Sequence, residues 1–546
     1  MNFVKENKLF IFLLLAGALC LSFSSGHIAD IYNDIGRELY YPYAILEKKV
    51  LYKDLFCIYP PLSYLLNAVL YKISFGANLG ILYFASGFFS LMSVFLIYVI
   101  SKKFLTNFAS LSIVFFILAT GVFSTRIFNF TLPYSFGIVY GLGFFLLSLF
   151  FLLKFGYDNK NKYMYLSSLF LGLSLCSKYE FAPFAVIFSI VLISTKNIKL
   201  ILKSFLISFS AFIFPFLFLF LQGLTFQDLI QSSNLISLFV KSKPLKTFYI
   251  TQGVYFTPKI IYDWSYKIIW GILAVFTAYL GCKTAEKKKT LGYLIIALTC
   301  ALIFLFFHDT SYLYLTFVTI IIFLLLAKFN SKAQNLVILS CLAVSLKSIW
   351  GLSYSNYGLY YTGIVLLSFF ILISNFKEKN LIKAVSIVLI AAGINALYLS
   401  LLSFKFVDTK ISSKRGEIYT IDEYAKTADK VITFINNLEE DNPKVMIFPE
   451  GLALNFLAIK KNNPEGFYNS LIPLYTEAFG DKVINYYKSH LPDYIIFSDI
   501  KMTSYGYGSI CDTYAQTFCT FVFENYSPLK MVEGAEDKFY ILQRRD

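Results

Sequence analysis

The chain has 546 residues, of which 57% are hydrophobic and only 15% are charged, and its mean hydropathy is +0.64. Soluble globular proteins contain about 45–50% apolar and about 25% charged residues, so this composition indicates a protein embedded in lipid. Aromatic residues make up 19% of the chain, which excludes the disordered and collagen-like classes. The net charge of +15 would suit nucleic acid, but the lysines cluster in short turns between apolar segments. We therefore expect membrane lipids as partners and no nucleic acid.

Apolar stretches near the length that crosses about 30 Å of hydrocarbon recur from the N-terminus to residue 403. They predict an α-helical polytopic membrane protein with about 13 transmembrane helices. Some are short, so the two that flank Lys178 could form one broken helix. In chain order the predicted spans are Leu9–Phe23, Leu79–Ile100, Phe108–Phe123, Leu132–Leu153, Tyr163–Cys176, Phe181–Ile193, Leu200–Leu221, Ile268–Gly281, Leu291–Phe307, Ser311–Leu326, Leu336–Trp350, Leu359–Ile373 and Ala384–Leu402.

The distribution of lysine predicts the orientation of these spans. With the N-terminus in the cytoplasm, every predicted inside turn is basic, as at Lys102 and Lys103, which satisfies the positive-inside rule. The first span resembles a signal peptide, but its apolar run continues past Ala18 to Phe23, so we expect it to remain as an anchor. The sequence thus predicts a multi-pass protein of the cell membrane with an extracytoplasmic C-terminal segment.

Two long regions lie outside the predicted spans, one near the N-terminus and one at the C-terminal end. Residues 24–76 form the first outer loop of a membrane domain, 1–403, and apolar residues from Leu62 to Ile73 recur there at helical spacing. That spacing predicts an amphipathic helix that could anchor the loop or line a lipid-access groove. Residues 404–546 have a soluble composition, with strands predicted at 444–448 and 494–497 and helices at 420–438 and 480–489. We predict a small extracytoplasmic α/β domain, in which Cys511 and Cys519 could pair in an oxidising compartment.

The first outer loop begins with a concentration of ionisable side chains. Asp30, Asp34, Arg37 and Glu38 lie immediately outside a membrane helix, where charges are costly unless they are solvated or paired. On a helix, Asp30 and Asp34 would share one face, and their repulsion could raise a carboxylate pKa towards that of a base. A divalent cation, Mg²⁺ or Mn²⁺, could also relieve it. The alternative is a solvated loop in which Asp34 or Glu38 pairs with Arg37.

At these residues the chain resembles the GT-C superfamily of membrane glycosyltransferases. The likeness is greatest to the protein O-mannosyltransferase and aminoarabinose-transferase branch and its bacterial relatives. Asp34-Ile-Gly-Arg37 is similar to the Asp-Glu-x-Arg pattern of that branch, with Ile35 in place of Glu. The runs Gly36–Tyr40, Lys49–Asp54 and Tyr59–Tyr64 also resemble those relatives. The likeness covers the architecture of most of the chain and motifs within the first 70 residues.

The resemblance implies transfer of a sugar from a polyprenyl-phosphate donor to a lipid, glycan or protein acceptor on the outer face. It implies an inverting hexosyl- or pentosyltransferase that uses Asp34 as base, with Asp30 as a second catalytic candidate. Arg37 would orient Asp34 or contact the donor phosphate, and Glu38 would contact substrate. The resemblance makes no cofactor certain, and a divalent cation stays open.

The other candidate substrate ligands are charged residues at predicted outer turns. Lys178 could hold the donor phosphate and Glu180 could contact hydroxyl groups, or the two could pair to close a turn. Arg126 is a further phosphate candidate, although snorkelling would also explain it. His308, followed by Asp309, ends an apolar span, where helix capping is the alternative.

Two other functions remain open for such a chain. A transporter of lipids or glycans would carry polar groups at mid-depth in its spans, whereas the charges here gather at one outer face. A polymerase or ligase of lipid-linked glycans would depend on Arg and His in large outer loops, and the acidic first loop favours the transferase. The sequence has no Gly-rich dinucleotide or Walker fingerprint, which suits a lipid-linked donor.

Overall fold

The computed structural model describes residues 6–32, 34–251, 258–306, 315–346, 357–376, 378–411, 413–464, 481–534 and 538–545. Within these ranges the chain is a bundle of apolar helices followed by a region that contains a small sheet. This architecture confirms the predicted fold class, a polytopic helical protein with a C-terminal α/β region.

Five described helices are long and apolar enough to cross a membrane by length and composition. The other predicted spans that the structure describes are shorter helices. The five long segments are Leu79–Ser101, Phe136–Asp158, Ile198–Leu221, Ser265–Lys287 and Lys379–Phe404, the fourth lying within the helix Pro258–Lys287. The shorter helices are Lys8–Ser24, Asn107–Ile117 with the π-turn Leu118–Val122, Asn161–Ser177, Ala182–Ser194, Lys289–Phe306, Leu315–Leu326, Lys332–Ser345 and Leu359–Ser374.

Small residues let neighbouring helices of the bundle approach closely. Ser148 Oγ donates to the carbonyl of Ser167 at 2.7 Å, and Ser167 Oγ donates to that of Ser148 at 2.8 Å. A Cβ atom on Gly172 would lie 2.2 Å from the carbonyl oxygen of Ser208 on the adjacent helix. Packing through small residues and hydroxyl hydrogen bonds is typical of membrane helices, because lipid provides no hydrophobic force between them.

The two long loops between the predicted spans, residues 24–76 and the loop after Leu221, contain further helices. The first contains Ile35–Leu46 and Leu62–Ile73, and the second of these coincides with the predicted amphipathic helix. The loop after Leu221 forms Phe226–Lys241 and Lys243–Thr251. Ser232 Oγ in this loop donates to the Cys57 carbonyl at 3.3 Å, and the Phe248 ring stacks on Tyr505 with centroids 4.9 Å apart. This second loop therefore contacts both the first loop and the C-terminal region.

The C-terminal region is a small α/β unit. A four-stranded sheet has the order β3-β4-β6-β5, in which β3 and β4 are parallel and the other pairs are antiparallel. The predicted strands are β3 and β4, whereas the hairpin β5–β6 was not predicted. Cys511 and Cys519 form a disulfide. The strands are β1 Thr409–Ile411, β2 Ile418–Thr420, β3 Val445–Phe448, β4 Tyr494–Ser498, β5 Tyr526–Glu533 and β6 Lys538–Arg544, and the helices are Asp422–Asn436, Leu452–Leu457, Asp481–Ser489 and Gln516–Asn525.

The C-terminal region is docked on the first outer loop by backbone contacts. The Tyr419 N–H donates to the Gly26 carbonyl and the Ile28 N–H donates to the Tyr419 carbonyl, both at 2.9 Å. At Gly36 an added Cβ atom would lie 2.4 Å from the backbone nitrogen of Ala453. The helix Ile35–Leu46 therefore approaches the C-terminal region this closely because position 36 has no side chain.

Candidate active site

Asp34 immediately precedes the outer-loop helix Ile35–Leu46 and has an unusual backbone conformation. Its φ angle of 58° is uncommon for a residue with a side chain, and such strain persists only where surrounding contacts enforce it. Asp30 lies in the preceding turn, where its Oδ1 accepts from the Tyr32 N–H at 3.0 Å. Because the helix begins only at Ile35, Asp30 and Asp34 do not share a helix face.

Arg37 connects the two neighbouring carboxylates of this helix. Its Nη1 lies 3.3 Å from Asp34 Oδ1 and its Nε lies 3.3 Å from Glu38 Oε1, and the side chain is 3% exposed. Nη2 is buried, and no group in the described part of the chain accepts its hydrogen bond. A buried charged donor without an acceptor is costly, so this nitrogen is suited to an anionic ligand.

Glu38 is fully buried, and both of its oxygens are occupied by donors from the protein. Oε1 accepts from the Tyr64 hydroxyl at 3.0 Å, in addition to Arg37, and Oε2 accepts from the Phe136 N–H at 2.9 Å. Phe136 begins a long membrane helix, whose positive dipole end stabilises a carboxylate. These contacts favour a role for Glu38 in holding Arg37.

Lys178 separates the helices Asn161–Ser177 and Ala182–Ser194 and is 2% exposed. Its Nζ donates to Ser135 Oγ at 3.3 Å. A Cβ atom on Gly137 would lie 2.6 Å from the Ser177 carbonyl oxygen, so the glycine allows the close approach that brings Lys178 beside Ser135. The two apolar runs flanking Lys178 are thus two helices, and the break between them carries a buried cation.

Arg37 and Lys178 share a pair of tyrosine rings. The Tyr59 and Tyr134 hydroxyls are hydrogen-bonded at 3.0 Å. The Arg37 guanidinium carbon is 4.7 Å from the Tyr59 centroid and 5.7 Å from that of Tyr134, and Lys178 Nζ is 3.9 Å and 5.6 Å from the same centroids. We call Arg37, Lys178, Tyr59 and Tyr134 the cation–ring cluster. Ring faces stabilise both cations, and an anion between them would relieve their mutual repulsion.

The remaining sequence candidates lie at different distances from this cluster. The Glu180 carboxylate accepts from the Tyr357 hydroxyl at 2.5 Å and from the Tyr361 hydroxyl, and the Tyr357 centroid is 5.9 Å from Lys178 Nζ. Glu180 is therefore joined to the cation–ring cluster through one ring. Arg126 is half-exposed in the loop that also carries Tyr134, and we do not include it in the cluster. The candidate His308 lies outside the described residues.

Glu450, which the sequence did not identify as a site residue, lies next to Asp34. It follows β3 and the cis Phe448–Pro449 bond, is 9% exposed, and accepts through Oε2 from the Asp34 N–H at 3.0 Å. The two residues are 416 positions apart, so no local pattern could join them. The feature of the sequence that could have identified Glu450 is its place in a Pro-Glu-Gly turn directly after a predicted buried strand.

The surroundings of Asp34 and Glu450 favour their neutral forms. Burial raises the pKa of Asp34; Arg37 opposes that rise, and the charges of Glu38 and Asp30 add to it. Burial, together with the charge of Asp34, raises the pKa of Glu450 to about 8. Two acids in one buried site cannot both ionise without large cost, so the pair retains a proton near neutral pH. Asp34, which contacts Arg37, is the member better placed to carry the negative charge.

Neither a metal centre nor a cofactor is established for this site. Within the described ranges, no group of three or more His, Cys, Asp or Glu side chains is arranged to hold a metal ion. The Mg²⁺ or Mn²⁺ ion suggested by the sequence therefore stays a prediction.

An apolar cavity of about 650 Å³ lies among the helices Pro258–Lys287, Leu315–Leu326, Leu359–Ser374 and Lys379–Phe404. Leu366, Phe369 and Ile373 are among the side chains that line it. The helix that carries these three residues also carries Tyr361, which contacts Glu180.

Comparisons with known proteins give similarity in structure only. No protein-family model and no curated protein matches the chain. The structure is similar to ArnT from Cupriavidus metallidurans bound to undecaprenyl phosphate, at 11% identity over 98% of each chain, with a TM-score of 0.46, and to apo ArnT with a TM-score of 0.45. It is also similar to the Archaeoglobus fulgidus oligosaccharyltransferase in complex with zinc and sulfate, at 12% identity over 90% of this chain and 68% of that one, with a TM-score of 0.48.

Proposed function

We propose that this chain is an integral membrane glycosyltransferase that transfers a sugar from a polyprenyl-phosphate donor to an acceptor on the outer face. The observation that carries this proposal is the contact between a carboxylate, Asp34, and a cluster that holds two buried cations, Arg37 and Lys178. A base beside a phosphate site is what the reaction requires.

In the proposed reaction Asp34 takes the proton of the acceptor hydroxyl or amine as that group attacks the anomeric carbon. The bond from this carbon to the phosphate oxygen breaks, and the oxygen keeps the electron pair. The leaving polyprenyl phosphate gains negative charge, which Arg37 and Lys178 stabilise. A single displacement of this kind inverts the anomeric configuration.

The position of the donor lipid follows from the apolar surroundings. The cavity of about 650 Å³ is lined almost wholly by apolar side chains, which suits the polyprenyl chain of a donor such as undecaprenyl phosphate sugar. Glu180, held by Tyr357 and Tyr361, would face the sugar or the acceptor. The lysines of the opposite turns support an outer position for this end of the bundle, by the positive-inside rule. The acceptor class stays open among lipid, glycan and protein.

The test compares wild type with Asp34→Asn in nanodiscs, using radiolabelled polyprenyl-phosphate sugars and acceptors extracted from membranes. We expect Asp34→Asn to lose about 10²–10⁴-fold in transfer rate because the base is removed, with unchanged thermal stability. Asp54→Asn is the matched control, since Asp54 accepts from the Val50 N–H in the same loop and asparagine retains that acceptor.

Three results would decide the proposal. Label that enters a new glycosidic bond with wild type and Asp54→Asn, but not with Asp34→Asn, supports it. Equal transfer by all three proteins would refute the role of Asp34. In proteoliposomes, labelled donor that crosses the bilayer intact, without a new glycosidic bond, would instead identify a transporter.

A further inference from the structure

We propose that Glu450 is a positioning residue that holds Asp34 in its working conformation, so that the C-terminal region completes the active site. This inference rests on the proposed function of Asp34 as the base. It assigns a role in the reaction to the C-terminal region, for which the proposed function gives none.

The backbone at Asp34 requires an external contact. A residue with a side chain at a φ of 58° is strained, and contacts from the surrounding structure have to hold it there. The Asp34 side chain contacts Arg37, but its backbone N–H is bonded to Glu450 Oε2. Glu450 therefore fixes the peptide that aims the Asp34 carboxylate.

Glu450 is itself held rigidly. It lies between β3 and the helix Leu452–Leu457, and both elements are buried along their length. Gly36, two residues after Asp34, packs against the backbone of Leu452 and Ala453, so the distance between the two segments is set by main-chain contact. The hydrogen bond from the Asp34 N–H to the Glu450 side chain thus joins two segments whose backbones are held at a fixed separation.

A purely structural role does not explain an acid at this position. Burying a carboxyl group beside a second carboxylate destabilises the folded state, and an apolar residue would pack there without that cost. Buried carboxyl groups whose pKa is shifted by a neighbouring charge are concentrated at functional sites. The raised pKa of Glu450 agrees with this placement, since a neutral carboxyl group still accepts from the Asp34 N–H.

The test uses two substitutions of Glu450 in the full chain. Glu450→Ala removes the acceptor of the Asp34 N–H. We expect kcat to fall by about 10²-fold with little change in donor KM, because the Asp34 carboxylate loses its orientation towards the acceptor. Glu450→Gln retains an amide oxygen at the same reach and is expected to recover most of that loss. Glu440→Gln is the control, since Glu440 accepts from Tyr494 in the same region, at 2.5 Å.

A second measurement does not depend on activity. Hydrogen exchange of the peptide that contains Asp34 should accelerate in Glu450→Ala and stay protected in Glu450→Gln and Glu440→Gln. If this peptide is protected from exchange in Glu450→Ala as strongly as in wild type, the positioning role of Glu450 is refuted. A wild-type kcat in Glu450→Ala would refute it as well. If Glu450→Ala behaves as wild type while Asp34→Asn is inactive, this inference fails and the proposed function stands. If wild type forms no glycosidic bond, the proposed function fails, and the exchange result still decides the contact.

Discussion

The two sides of the candidate site are built in different ways. The cation–ring cluster is formed by residues of the membrane part between positions 37 and 178, and each of its cations faces the same two tyrosine rings. The Asp34 side depends on one hydrogen bond, which the Asp34 N–H donates to Glu450 in a segment distant in sequence. We infer that the anion site is preformed by the bundle, whereas the orientation of the base depends on docking of the C-terminal region. Changes on the first side should therefore affect donor binding, and changes on the second should affect turnover.

The largest effect expected from a test of this difference is on donor binding in Lys178→Gln. Loss of one charged donor to phosphate is worth about 1.5–3 kcal/mol, so donor KM should rise about 10–100-fold. We expect kcat to fall as well, because Lys178 also stabilises the charge that develops on the leaving phosphate. Lys461→Gln is the control, because Lys461 is an exposed lysine paired with Glu47 at 2.6 Å. Titration of undecaprenyl phosphate as a product inhibitor measures the same site. An unchanged inhibition constant in Lys178→Gln would remove Lys178 from the phosphate site.

A smaller effect is expected when the docking of the C-terminal region is disturbed at Gly36. In Gly36→Ala the new Cβ atom would meet the Ala453 nitrogen at 2.4 Å, and backbone cannot rotate away as a side chain can. Overpacking of this kind costs about 1–3 kcal/mol, so we expect a lower unfolding temperature and lower kcat with donor KM retained.

The matched control for this substitution is Gly156→Ala, where an added Cβ atom meets nothing within 4 Å. A rise in donor KM in Gly36→Ala with kcat unchanged would contradict the division of the site into a binding side and an orienting side.

The same division marks how far the sequence could predict the structure. Helices were predictable where apolar spacing is local, as in Leu62–Ile73, and the motif at Asp34 and Arg37 named two residues that the structure brings into contact. The hairpin β5–β6 was missed because its outer strand is largely exposed and lacks a buried apolar run. Glu450 was missed for a different reason, since its partner lies 416 positions away and only tertiary packing brings them together.

The last expected effect concerns folding stability and not catalysis, and it is a pH dependence of stability that belongs to Glu450. Because its pKa is raised from an ordinary 4.5 to about 8, the folded chain retains a proton that the unfolded chain releases between these values. The stabilisation linked to this group is complete below pH 4.5 and is lost as pH rises to about 8. The charged and titratable groups around Glu450 are Asp34, Asp30, Arg37, Tyr505 and Tyr514.

Thermal unfolding at pH 5 and pH 8 checks this expectation in wild type and Glu450→Gln. The wild-type unfolding temperature should fall more between these pH values than that of Glu450→Gln, which has no proton to release at this position. The pKa of Asp34 is raised as well and gives a change of the same sign, and the two acids titrate as a pair. The difference between the two profiles therefore reports on the proton that the pair retains because Glu450 is present, and two parallel profiles would show that Glu450 does not contribute to that proton.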